Sequence, residues 1–204
     1  MILAGYGCLG DPASRIPPPR SPHIMNPVPL DRTLQNARAL AFLRIAVGSL
    51  FLIFGEYKVF STQFTLHGGF EFWVNQFLEG GAYPFMVPVL RGFVLPHATA
   101  IAFLVAYGEL AIGLALFLGV WVRPASIFGL LYMFALLFSA NYPGAAAPCW
   151  QYFGASLDHS VLALCFLAFL ISRPEAVWSL SARRAAKRGF EAGEKQQDQA
   201  PADL

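Results

Sequence analysis

Arg44 and Glu109 are ionisable residues inside stretches otherwise suited to hydrocarbon. A charge in such a setting is expensive, so each is expected to face a bundle interior and to have a partner there. On antiparallel neighbouring helices the two can pair, the long arginine side chain reaching the carboxylate. Such a pair can fix helix register without chemistry. The alternative is a functional Glu109, a carboxylate that handles a proton or binds a ligand.

A second group of polar residues falls near the far ends of the same stretches: Glu56 and Lys58 after the first, His97 before the second, and Asp158 with His159 opening the last. Asp158 suits the first turn of a helix, where an acid complements the exposed N–H groups, and the histidines can simply sit at headgroup level. A sharper arrangement gathers Lys58, His97, Asp158 and His159, with His67, around a polar mouth that binds a quinone head group, a metal or an anion. In that arrangement Glu109 and His159 are the candidates for proton exchange, while Arg44, Lys58, His97, Asp158 and Arg123 are candidates for the polar lining. Histidines on separate helices carry no ligand spacing, so no metal site is assigned. Cys8, Cys149 and Cys165 form no CxxC pair, and no disulfide framework is expected.

The elements that must position these residues are helical. Of 204 residues, 56% are hydrophobic and 13% charged, outside the usual range for a water-soluble domain. The net charge of +2 is too small to point to nucleic acid. Four stretches have the apolarity that a membrane-crossing helix needs: about 37–54, 98–120, 124–140 and 157–171. The expected fold is therefore an all-α membrane protein, a bundle of four transmembrane helices. Pro124 suits the start of the third helix, and Pro174 follows the fourth as a stop. Gly48, Gly55, Gly108 and Gly113 permit close helix approach.

Residues 1–36 read as a proline-rich flexible arm, 37–173 as the membrane domain, and 174–204 as a basic segment with a disordered tail from Glu191. No cleaved signal is expected at the N-terminus. Arg32 and Arg38 precede the first helix, Arg123 lies between the second and third, and Arg173 and the group Arg183 to Arg188 follow the fourth. By the positive-inside rule both chain ends face the cytoplasm. The connection from Glu56 to Pro96 is too long and aromatic for a bare loop, and Phe70, Trp73, Val74, Phe77 and Leu78 recur at helical spacing. A short interfacial helix is expected there, between the glycine pairs at 68–69 and 80–81. Beyond the fourth helix, Val177, Trp178, Leu180 and the basic group suggest a juxtamembrane helix drawn to anionic lipid.

Three stretches together resemble the DoxX family of small membrane proteins, which includes DoxD-like subunits of thiosulfate:quinone oxidoreductase. They are LRIAVGSLFLIFGEYKVF with Arg44 and Lys58, YGELAIGLALFLGVWVRPAS with Glu109 and Arg123, and the last helix ending at ISR. The resemblance covers about residues 37–173. It implies a four-helix membrane bundle in the bacterial inner membrane, with some members linked to sulfur oxidation and quinone reduction. Arg44, Lys58, Glu109 and Arg123 match recurrent family positions, without a shared mechanism attached to them.

Three functions stay open on these residues. One is a membrane subunit of a quinone-linked oxidoreductase, with quinone as ligand. With no haem-attachment motif, dinucleotide fingerprint or iron–sulfur cysteine set, its electrons would come from a soluble or membrane redox partner or a small reductant. The second is a transporter or channel for a small solute or proton, which with four helices would act as a homo-oligomer. The third is a membrane anchor or assembly factor whose basic tail recruits a partner.

Overall fold

The structure, a computed structural model, describes residues 30–198, and the proline-rich stretch 1–29 lies outside the described residues. Its helices are α1 (Leu30–Phe60), α2 (Thr62–Thr65), α3 (Gly69–Glu79), α4 (Met86–Val89), α5 (Ala98–Leu118), α6 (Val122–Ser139), α7 (Cys149–Gly154), α8 (Leu157–Ile171) and α9 (Leu180–Asp198). A π-turn at Leu90–Val94 and a 3₁₀ turn at Leu95–His97 carry α4 directly into α5. Pro96 has no N–H to give to the regular ladder, which accounts for irregular pairing at this point.

Arg32–Phe60, Met86–Leu118 and Val122–Ser139 are long and apolar enough to cross a membrane, and Leu157–Ile171 is a shorter apolar helix. At 15 residues α8 extends about 22 Å, less than the ~30 Å of a hydrocarbon core. Large apolar side chains such as Phe42, Ile53, Leu104, Phe128 and Leu164 point outward from these helices. In water they would form an unsustainable surface; lipid is the solvent that suits them.

Pairing within the bundle follows from where small residues allow it. α1 lies antiparallel along α5, and a Cβ at Gly55 would come 2.7 Å from the Leu110 nitrogen, while one at Gly113 would come 2.7 Å from that of Leu52. Only glycine lets the backbones meet at this distance. α6 packs on α8, where the Phe166 ring lies directly against Gly129. Phe51 from α1 meets Phe166 edge to face at 5.3 Å, closing a core that includes Val47, Ile112, Leu116, Met133 and Phe169.

Several bounds differ from the expectation. α1 runs six residues beyond Phe54 because the polar Glu56–Lys58 turn can stay helical once Lys58 finds an acid on α5. It also begins at Leu30, so residues 30–36, expected in the arm, are helical. α6 begins at Val122, which puts Pro124 at its third residue, still within the first turn where no N–H is needed. The helix expected in the long connection is α3, packed against the ends of α5 and α6. The basic segment forms α9 from Leu180 rather than from Val177, and it continues to Asp198 through residues expected to be disordered. Alanine, arginine and lysine dominate its first half, all good helix formers.

Candidate functional site

On α5, Ala102, Ala106, Glu109, Ile112, Gly113 and Leu116 share the buried face, a spacing of three and four residues that turns them all inward. Glu109 is therefore aimed into the bundle by the same periodicity that builds the core, and the residue is 5% exposed. It lies nine residues, about 14 Å, from the C-terminal end of a helix about 31 Å long, near the middle of any bilayer the helix spans.

Two donors converge on one of its oxygens. Lys58 Nζ, from the last turn of α1, is 2.5 Å from Glu109 Oε1, and the Tyr132 hydroxyl, from the middle of α6, donates to the same oxygen at 2.5 Å. The Lys58 ammonium also stands 5.2 Å from the centre of the Phe64 ring of α2, a favourable position for a cation over an aromatic face. The second carboxylate oxygen, Oε2, is buried and has no hydrogen-bond partner. A buried carboxylate with one oxygen doubly bonded and the other vacant is an acceptor in reserve.

Beside this carboxylate a groove of about 470 Å³ opens between α5 and α6. Leu104, Val105, Gly108, Ala111, Phe128 and Trp121 form its apolar walls, and Glu109 and Tyr132 are its polar groups. Leu104 is 72% exposed and Phe128 65%, so the groove is entered from the side of the bundle, where lipid lies. Apolar walls with a few convergent polar atoms are the general form of a small-molecule site, and the volume falls within the usual ~300–1,000 Å³.

The expected Arg44–Glu109 pair does not form. Arg44 is fully buried but lies fourteen residues, about 21 Å, back along α1 from Lys58. Its guanidinium donates to the carbonyls of Leu116 and Phe117 at the end of α5, and to Trp178 O at 2.8 Å. Antiparallel register decides this: the glycine contacts place Gly55 beside Leu110 and so bring Lys58, not Arg44, to Glu109.

The other candidates make contacts within their own segments. His97 Nδ1 lies 2.9 Å from Phe93 O and His67 Nδ1 lies 3.0 Å from Thr62 O, each within its own segment. His159 Nδ1 is 3.1 Å from Asp158 Oδ1, close enough for attraction but without hydrogen-bond alignment. Arg123 is exposed in the first turn of α6. Among the described residues, no three His, Cys, Asp or Glu side chains converge in a way that could hold a metal ion. Tyr132 is the member of the site that sequence reasoning missed. Its signal was a hydroxyl in the middle of an apolar helix, where it needs a partner.

No curated protein and no solved structure matches the chain. A model of the DoxX family matches residues 39–141, which takes in α1 from its third turn, the connection, α5 and α6, and so all three polar side chains of the site. With that match over half of its length, on helices built for lipid, the chain is an integral membrane protein that belongs to the DoxX family.

Proposed function

We propose that the protein is the membrane subunit of a quinone-linked oxidoreductase, and that the groove between α5 and α6 admits the quinone ring from the bilayer. The observation that carries the reading is the buried, unpartnered Oε2 of Glu109, a residue that lines an apolar groove open to lipid. Quinones are membrane-dissolved, need apolar walls for ring and tail, and present oxygens that gain and lose protons. A quinone, when bound, supplies the two-electron chemistry.

This chain's residues supply binding and protons. Glu109 Oε2, the acceptor left free, is placed to receive an O–H of the reduced ring, while Tyr132, whose hydroxyl donates to Oε1, fixes the carboxylate, and the groove walls exclude water. Lys58 holds the other side of the carboxylate and, one-fifth exposed, links it to the Phe64 end of α1. Proton exchange at Glu109 is thereby available without exposing the groove to water. The electron donor is a partner protein or small reductant.

The same reading takes α1, α5, α6 and α8 as four crossings of a bacterial inner membrane, with α3 lying at the outer interface. Arg32, Arg38, Arg123 and the basic residues of α9 gather toward one end of the bundle, which supports a cytoplasmic placement of both chain ends.

The test is equilibrium binding of a short-chain ubiquinone, held in its reduced form, to the detergent-purified protein. Wild type is expected to bind saturably, with affinity reduced at least tenfold in Glu109→Gln and severalfold in Tyr132→Phe. His159→Ala, whose contact is with Asp158, is expected to bind as wild type. Failure of well-folded wild-type protein to bind would sink the reading for the isolated subunit.

A further inference from the structure

A second recess lies at the opposite end of α5 from the 3₁₀ turn, and it depends on how the chain leaves the bundle. α5 ends at Gly119, whose φ of 68° is left-handed, with Gly119 N–H and Val120 N–H turning back to Leu116 O and Ala115 O. This closure leaves the last-turn carbonyls short of donors, and Arg44 supplies them from α1. The other arm of the same guanidinium holds Trp178 O, and Ser181 Oγ donates to Gly119 O at 2.7 Å. A Cβ at Gly119 would collide with Ser179 and Arg44. The segment after α8 is thus fastened to the end of α5 by a fully buried arginine rather than left to hang in solvent.

Fastening it there builds a pocket. Phe117 and Leu118 of α5, with Trp178, Leu180 and Arg183, enclose about 370 Å³. Phe117 and Leu118 are more than two-fifths exposed on the lipid-facing side of α5, and Trp178 is more than half exposed. Arg183 is exposed at the start of α9, with Arg184 next to it and Arg188 a turn beyond. Between Arg173 and Arg188 the chain carries five basic residues against the single acid Glu175.

We infer that this recess binds an anionic phospholipid, its phosphate held by Arg183 and one acyl chain lying along Phe117 and Leu118. The match is one of both charge and polarity. A guanidinium reads phosphate oxygens in a forked geometry. A tryptophan with one wet and one apolar side belongs at headgroup depth. The apolar wall leads away from the cation along a helix that crosses the bilayer, as an acyl chain does. Arg184 and Arg188 extend the positive surface along α9. The buried Arg44 is a positioning residue: it touches no lipid but sets the segment that carries Trp178 and Arg183. The site is independent of the quinone groove.

Lipid retention measured by native mass spectrometry tests it, with the full chain purified in a mild detergent and titrated with dioleoyl phosphatidylglycerol or dioleoyl phosphatidylcholine. One phosphatidylglycerol is expected to bind in preference to phosphatidylcholine. Arg183→Gln is expected to weaken it about fivefold, whereas Arg91→Gln, the same loss of charge on the π-turn remote from the recess, leaves it unchanged. Millimolar inorganic phosphate is expected not to displace it. Equal retention of both lipids, equal weakening by the two variants, or displacement by free phosphate would each overturn the assignment.

Discussion

Replacing Lys58 by methionine removes the ammonium 2.5 Å from Glu109 Oε1 and leaves a carboxylate in an apolar interior with the Tyr132 hydroxyl as its remaining donor. Breaking one side of a buried ion pair costs about 3–5 kcal/mol, and Lys58, with a side chain one-fifth exposed, belongs at the lower end of that range. For a chain of this size about 3 kcal/mol corresponds to a fall of roughly 6–12 °C in melting temperature. The double variant Lys58→Met with Glu109→Leu replaces the pair by packed apolar groups, which is close to neutral for buried pairs. It leaves the Tyr132 hydroxyl without its acceptor, at about 1–3 kcal/mol. The double variant should therefore be no less stable than Lys58→Met alone, so the coupling is at least the cost of Glu109→Leu by itself, about 1–3 kcal/mol from the Tyr132 hydroxyl. Thermal unfolding in one detergent, followed by size-exclusion fluorescence, gives all the corners of the cycle. The same cycle with Arg44→Met in place of Lys58→Met should be additive, because Arg44 is spent on carbonyls at the end of α5. Additivity for Lys58, or coupling for Arg44, would refute the register of α1 on α5.

That register also predicts the cost of bulk at the helix crossing. Gly55→Leu puts a Cβ 2.7 Å from the Leu110 nitrogen with no flexible side chain to yield, so it should destabilise by at least about 1–3 kcal/mol and misplace Lys58, as melting and loss of the Lys58–Glu109 coupling would show. At the far end of α6, burial beside Tyr152 and Tyr142 holds the Tyr83 phenol above the ordinary tyrosine range. A raised acid is stabilising while it keeps its proton, so this contribution is present below about pH 10 and is lost as pH rises through the folded value. Tyr83→Phe should flatten the alkaline fall in melting temperature while costing about 0.5–1.5 kcal/mol at neutral pH for the lost bond to Tyr152 O.

Much of the architecture could be read from residues. Apolar length located α1, α5, α6 and α8, and the spacing of Phe70, Trp73, Val74 and Phe77 located α3. Glu109 was legible as the charge in the middle of a helix, and the need for a basic partner followed from its cost. Which base it would be was not legible. Arg44 and Lys58 both lie on α1, fourteen residues apart, and the choice turns on a slide of α1 along α5 that hydropathy does not record. Gly55 and Gly113 set that slide, but their partners are backbone atoms, which carry no sequence signal. That His97 and His159 contact their own segments and not Glu109 has the same origin, since position along a helix says nothing of rotation about the bundle. α9 was missed past Arg188 because its composition suits a disordered tail as well as a helix with one charged face.

The central claim is that a bilayer-dissolved ring reaches Glu109 through the groove between α5 and α6. Gly108 lines that groove, and a side chain added there meets nothing within 4 Å. Gly108→Phe would fill the space while sparing Lys58, Glu109 and Tyr132, and in mid-helix it removes a glycine rather than adding strain. Binding of reduced short-chain ubiquinone to this variant, with melting temperature as the control for folding, is the direct measurement. A wild-type melting temperature with quinone binding abolished is the predicted result; undiminished binding would contradict entry by this groove.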